Sequence, residues 1–84
     1  MIIKYVINMK EYYDVKQGGW DTNGNYHQPY SPSETTDQKM LDMMSWGIAK
    51  PCREDSSTGW GHGIYERNED GSYRCEKYNW DSSD

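Results

Sequence analysis

Branched aliphatic side chains, the usual material of a small core, are nearly missing from this chain. Ile2, Ile3, Ile7, Ile48, Ile64, Val6, Val15 and Leu41 are all that 84 residues contain. Ordering a residue costs roughly 1.5 kcal/mol, so on the order of 120 kcal/mol of burial is needed merely to break even. Eight Tyr, four Trp and five Met must supply most of it. They can, because a ring buries a large area while its polar tip reaches water or a partner group. The length fits one small domain, residues 1–80, with no room for a second core. Low hydrophobicity with a net charge of −5 points towards disorder, but the 14% aromatic content and well-placed turn signals favour a fold.

Two turn signals organise the chain. Asp21-Thr22-Asn23-Gly24 has a turn-forming Asp first and Gly fourth, which fits a type I turn closed by a left-handed Gly bulge, and Asn68-Glu69-Asp70-Gly71 repeats that grammar. Each predicts a hairpin. In the first, Trp20 faces Tyr26 and the ladder stops at Pro29 and Pro32. In the second, the bulged turn sets the register: Arg67 faces Tyr73, Glu66 faces Arg74, Tyr65 faces Cys75, His62 faces Tyr78 and Trp60 faces Trp80. Opposite charges, a cation over a ring and an aromatic pair are all favourable cross-strand neighbours.

Residues 2–9 read as a further strand. In residues 10–17, Tyr12, Tyr13 and Val15 suit a strand, although Asn8 and Glu11 have the spacing of a capping box and Gly18-Gly19 would stop a helix. The strand is favoured. Hydroxyls and acids at residues 33–38, with Gly47 and Pro51 as stops, predict one helix over 34–46. Met40, Leu41, Met43 and Met44 share its apolar face, and Lys39, Asp42 and Trp46 lie opposite. Trp46 is then either an exposed anchor for a partner or a ring folded under residues 49–55. Residues 50–59 read as a polar loop and residues 81–84 as a disordered acidic tail. The expected fold is α+β, a small antiparallel sheet of three or four strands, with two Gly-bulge hairpins, packed with one helix.

The balance of 9 basic against 14 acidic residues argues against direct nucleic-acid binding, which relies on Lys and Arg to neutralise phosphates. Residues 1–45 and 46–84 carry −2 and −3, so neither half is a dedicated tail. The first seven residues are too short and too soon interrupted by Lys4 for a signal peptide or membrane span, and the expectation is a cytoplasmic chain with no membrane contact. Cys52 and Cys75 are too few for a secreted disulfide scaffold and would stay thiols in a reducing compartment.

Chemical signatures are sparse. His27, Cys52, His62 and Cys75 are scattered singly, unlike the close ligand pairs of zinc modules. No motif marks a nucleophile for a Cys and His pair, and the acidic turns lack the bidentate Glu of a calcium loop. Neither a cofactor nor catalysis is expected. Gly59-Trp60-Gly61-His62-Gly63 leaves one strand face bare, so a ring of this chain, a planar ligand or a partner side chain packs there.

In general character, small, acidic and without a catalytic signature, the chain resembles the phage proteins that disable host machinery, anti-CRISPR inhibitors among them. That resemblance covers no particular motif. It implies a lone α+β domain that binds a host defence or nucleic-acid-processing protein, such as a CRISPR-Cas effector, and blocks its basic, nucleic-acid-binding site. Carboxylates and rings are the expected contacts: Asp42 and Trp46 on the helix, with Glu66, Glu69, Asp70 and Tyr73 on the second hairpin. The alternatives are a nucleotide-sequestering pocket of Trp60, His62, Tyr78 and Trp80, or a structural part of a larger assembly such as a virion.

Overall fold

The computed structural model describes residues 10–80; the strand expected at 2–9 and the tail at 81–84 lie outside them. Six strands and one helix follow in the order β1 (Glu11–Lys16), β2 (Gly19–Trp20), β3 (Tyr26–His27), α1 (Asp37–Ser45), β4 (Ala49–Cys52), β5 (His62–Arg67) and β6 (Tyr73–Asn79). β4, β1, β5 and β6 make a four-stranded antiparallel sheet in that order, and β2 pairs with β3 alone. The architecture is α+β, as expected.

Both turns follow their local chemistry. Asp21 N donates to Asn25 O and Gly24 N to Asp21 O, while Asn68 N donates to Ser72 O and Gly71 N to Asn68 O. Gly24 and Gly71 sit at φ +86° and +89°, the left-handed region that this turn requires. Trp20 faces Tyr26 as the turn dictates. The first hairpin, however, forms a separate two-stranded ribbon instead of joining the main sheet.

The second hairpin keeps the expected register through Arg67–Tyr73, Glu66–Arg74 and Tyr65–Cys75, then slips by one residue at a bulge. His62 therefore faces Asn79 and Gly63 faces Tyr78, in place of His62 with Tyr78, and Trp60 lies outside β5. An unbroken ladder would have turned Lys77 inward and Tyr78 outward, because side chains alternate strictly along a strand. The extra residue reverses them. Tyr78 now lies over Gly63, where a side chain would meet its ring and the Cys75 sulfur.

The helix starts later than expected, at Asp37, because Pro32–Glu34 form a 3-10 turn and Thr36 is the extended cap that accepts from Lys39 N. Met40 and Met43 are buried against Val15, Ile48, Ala49, Tyr65 and Tyr73. Leu41, expected on that face, is 56% exposed. Residues 50–52, expected in a loop, belong to β4. β4 is an edge strand, so Pro51 can turn its missing N–H outward without breaking the ladder. From there residues 53–61 cross to the start of β5 over the sheet face away from the helix, where Ser56 and Ser57 share a hollow with Asp14 and Cys52.

On that outer face Glu66 is 2% exposed and ion-paired with both Lys10 and Arg74. Lys10's hydrogen bond is the main influence holding its carboxyl below the usual range. Replacing Glu66 with Ala removes the acceptor on which two half-exposed cations converge, and urea denaturation should show a loss of about 1 kcal/mol. Gly63→Val should cost about 2 kcal/mol in the same assay, because the new methyls must displace the Tyr78 ring.

Candidate protein-binding groove

α1 crosses the inner face of the sheet and leaves a groove of about 410 Å³ beside it. Its floor is apolar, made by Met40, Leu41, Met44, Pro51 and Tyr13, and its rim carries Glu11, Asp37 and Arg67. The exposed Leu41 stands in this groove.

The rim is built by tertiary hydrogen bonds. Asp37, in the first turn of the helix, receives Arg67 Nε at Oδ1 (2.8 Å) and Nη2 at Oδ2 (2.9 Å). Tyr73 donates its hydroxyl to the same Oδ1 at 2.6 Å, and Tyr13 donates to Glu11 Oε1 at 2.7 Å. The hydrogen bond from Arg67, then that from Tyr73, holds the Asp37 carboxyl down at about 2. Burial, then the Glu11 bond, pushes the Tyr13 phenol up to about 12, and burial followed by the Asp37 bond pushes Tyr73 up further. Both phenols stay neutral at any ordinary pH.

Charge is divided between the faces. Register and ion pairing put Lys10, Lys16, Lys50, Arg53, Arg74 and Lys77 on the outer side, roughly matched by Asp14, Glu54, Asp55, Glu66 and Glu76. The helix side has Glu11, Asp21, Glu34, Asp37 and Asp42 against only Lys39 and Arg67, and Glu69 and Asp70 adjoin it on the β5–β6 turn. Among the described residues the acidic excess therefore lies on the helix side and the β5–β6 turn, and of these acids Glu11 and Asp37 line the groove itself. Glu11, Glu34 and Asp42 take hydrogen bonds from Tyr13, Ser31 and Gln38, neutral donors that leave their negative charge available.

The six expected contact residues divide. Glu69 and Asp70 are exposed on the turn, and Asp42 is half-buried on the helix. Glu66 and Tyr73 are withdrawn from any partner: Glu66 is enclosed by its two cations, and Tyr73, 5% exposed, has its hydroxyl spent on Asp37. Arg67 consequently grips Asp37 instead of lying over Tyr73. Trp46 is half-buried, but not under residues 49–55; it stacks on His27 at 4.1 Å and 10°, with Tyr30 at 5.9 Å. Sequence reasoning missed Glu11, Asp37 and Leu41. Only the acid in the first helical turn had a local signal, since the other two depend on which sheet face meets the helix.

The alternative aromatic pocket is not assembled, because the bulge puts His62 and Tyr78 on opposite faces. His62 Nδ1 lies 2.7 Å from Asp14 Oδ1, and His27 Nε2 lies 2.8 Å from Asp21 Oδ2. Burial is the main influence pushing the free Cys52 and Cys75 thiols up. Among the described residues no group of three or more His, Cys, Asp or Glu is placed to share a metal ion, and no helix is long and apolar enough to cross a membrane.

Asp37 has a lowered carboxyl in the folded state, so its contribution to stability is complete above the unfolded carboxylate range near 4 and is lost as pH falls towards about 2. Asp37→Asn should lower the urea midpoint at neutral pH, and the gap from the parent should close as the pH approaches 2. No family model matches the chain, and no curated protein or solved structure does.

Proposed function

We propose that this chain is a non-catalytic binding protein whose helix-side groove docks on a basic, nucleic-acid-binding surface of another protein and occludes it. The observation that carries this reading is the coincidence of an apolar-floored groove with the side of the molecule that holds the acidic excess. An apolar anchor from the partner would fill the space beside Leu41 and Met44. Lys or Arg around that anchor would meet Glu11 and the turn acids Glu69 and Asp70. The division of labour is physical: long-range charge accelerates and selects the encounter, while the desolvated anchor slows dissociation. The resemblance to phage inhibitors names the partner class, a host defence or nucleic-acid-processing protein such as a CRISPR-Cas effector.

Leu41→Lys tests the reading, because Leu41 is exposed and its replacement should change stability by no more than about 0.5 kcal/mol. The parent chain, immobilised in a bacterial extract, should retain a basic protein at about 50 mM salt and lose most of it at about 500 mM, where exposed charges are screened. The purified partner should release its nucleic acid when the parent chain is added. Leu41→Lys should do neither. Capture that ignores both salt and the variant, or a captured partner that holds its nucleic acid unchanged, defeats the proposal.

A further inference from the structure

A second surface lies at one end of the sheet, away from the groove's acidic rim. β1 and β6 end there, β5 begins there, and the β2–β3 ribbon leaves from it. Gln17 N donates to Gly61 O at 2.7 Å and Gly61 N to Asn79 O at 3.0 Å, which ties the three segments side by side. Five of the large exposed side chains stand on this end: Trp20 (66%), Tyr26, Trp60 (58%), Tyr78 and Trp80 (70%). Trp20 and Tyr26 meet edge to face at 5.1 Å, and Tyr78 and Trp80 meet tilted at 5.1 Å. At about 150 to 250 Å² per ring residue, they leave on the order of 600 Å² facing water.

We infer that this aromatic end is the interface through which two copies of the chain associate head to head. Two features select a second copy. First, residues 17–20, 58–61 and 78–80 contain no Lys, Arg, Asp or Glu, and the carboxylate of Asp21, between Trp20 and Tyr26, is turned onto Asn23 N, Asn25 N and His27, so little in these segments asks for a partner of opposite charge. Elsewhere the groups with excess charge are acidic, and Glu69 and Asp70 lie at the far end of β5, about 20 Å away. Two molecules of net charge −5 repel least where few described carboxylates face the partner. Secondly, the exposed ring area approaches the ~800 Å² that each partner contributes to a stable interface of ordinary size. The rings also meet at 68° and 56°, so neither pair offers the flat platform on which a planar ligand stacks. A two-fold arrangement would bury the same rings from both copies and leave both grooves free.

The surface is distinct from the groove, so the two readings stand or fall separately. Sedimentation of the full chain up to about 200 μM should show a monomer and dimer in rapid exchange, with a dissociation constant in the micromolar range. Added salt should tighten the dimer, since it screens the repulsion between two acidic copies. The double variant Trp60→Ser, Trp80→Ser should stay monomeric while its circular dichroism and its capture of the groove's partner remain unchanged. Leu41→Lys should dimerise like the parent. A monomer throughout that range overturns the inference, and so does a dimer indifferent to the Trp replacements. Binding of the monomer to phosphatidylcholine vesicles through the same rings would assign this end to a lipid surface and also overturn it.

Discussion

A core made largely of tyrosine and methionine imposes one requirement that aliphatic cores avoid: each buried phenol needs an acceptor. Tyr65 reaches Tyr30 O at 2.9 Å, Tyr73 reaches Asp37, and Tyr13 reaches Glu11. An unmade bond at such a site costs about as much as a typical folded-state hydrogen bond contributes, or more. Among the described residues no buried side-chain polar atom is left without a partner. These bonds fasten the elements together. Asp37 joins the first turn of the helix to both strands of the second hairpin, and Tyr65 joins the middle of the sheet to the segment before the helix.

The same requirement shapes the surface. Acceptors for the phenols beside the groove are carboxylates, and Glu11 and Asp37 consequently line the space between helix and sheet. Met40 and Met44 bring flexible, polarisable side chains to its floor, material that adapts to irregular partners. The outer face follows a different logic, in which Glu66 is consumed by Lys10 and Arg74, and Asp14 is held close to His62. Acids that neutralise local cations contribute nothing to a docking field. Those that accept from neutral hydroxyls and amides still do.

Rings are divided as sharply as charges. Tyr65 and Tyr73 are sealed, Trp46 is stacked on His27, and Trp20, Trp60 and Trp80 remain open at the sheet end. A small domain has a high ratio of surface to volume, and four indoles exceed what its interior can enclose. The surplus collects where three strands terminate, because a strand end has no neighbour to cover a large side chain. Acidic and aromatic groups are thereby kept on separate parts of the surface.

Local chemistry was enough to read the two hairpin turns from the sequence, since Asp or Asn first and Gly fourth specify a backbone that few other residues adopt. It also placed the Trp20–Tyr26 pair, the first three pairs of the second hairpin, the strand at residues 10–17 and a helix rich in methionine. What residues far apart in the chain decide was not legible there. The bulge that turns Tyr78 inward answers to a bare Gly63 fifteen positions away; Glu66 is buried because Lys10 and Arg74 converge on it; Leu41 is exposed because Met40 and Met43 are the helix residues turned onto the sheet. Turn and cap energies arise between residues a few positions apart, whereas register slips, ion-pair partners and the covered side of a helix depend on contacts that exist only once the chain has closed on itself.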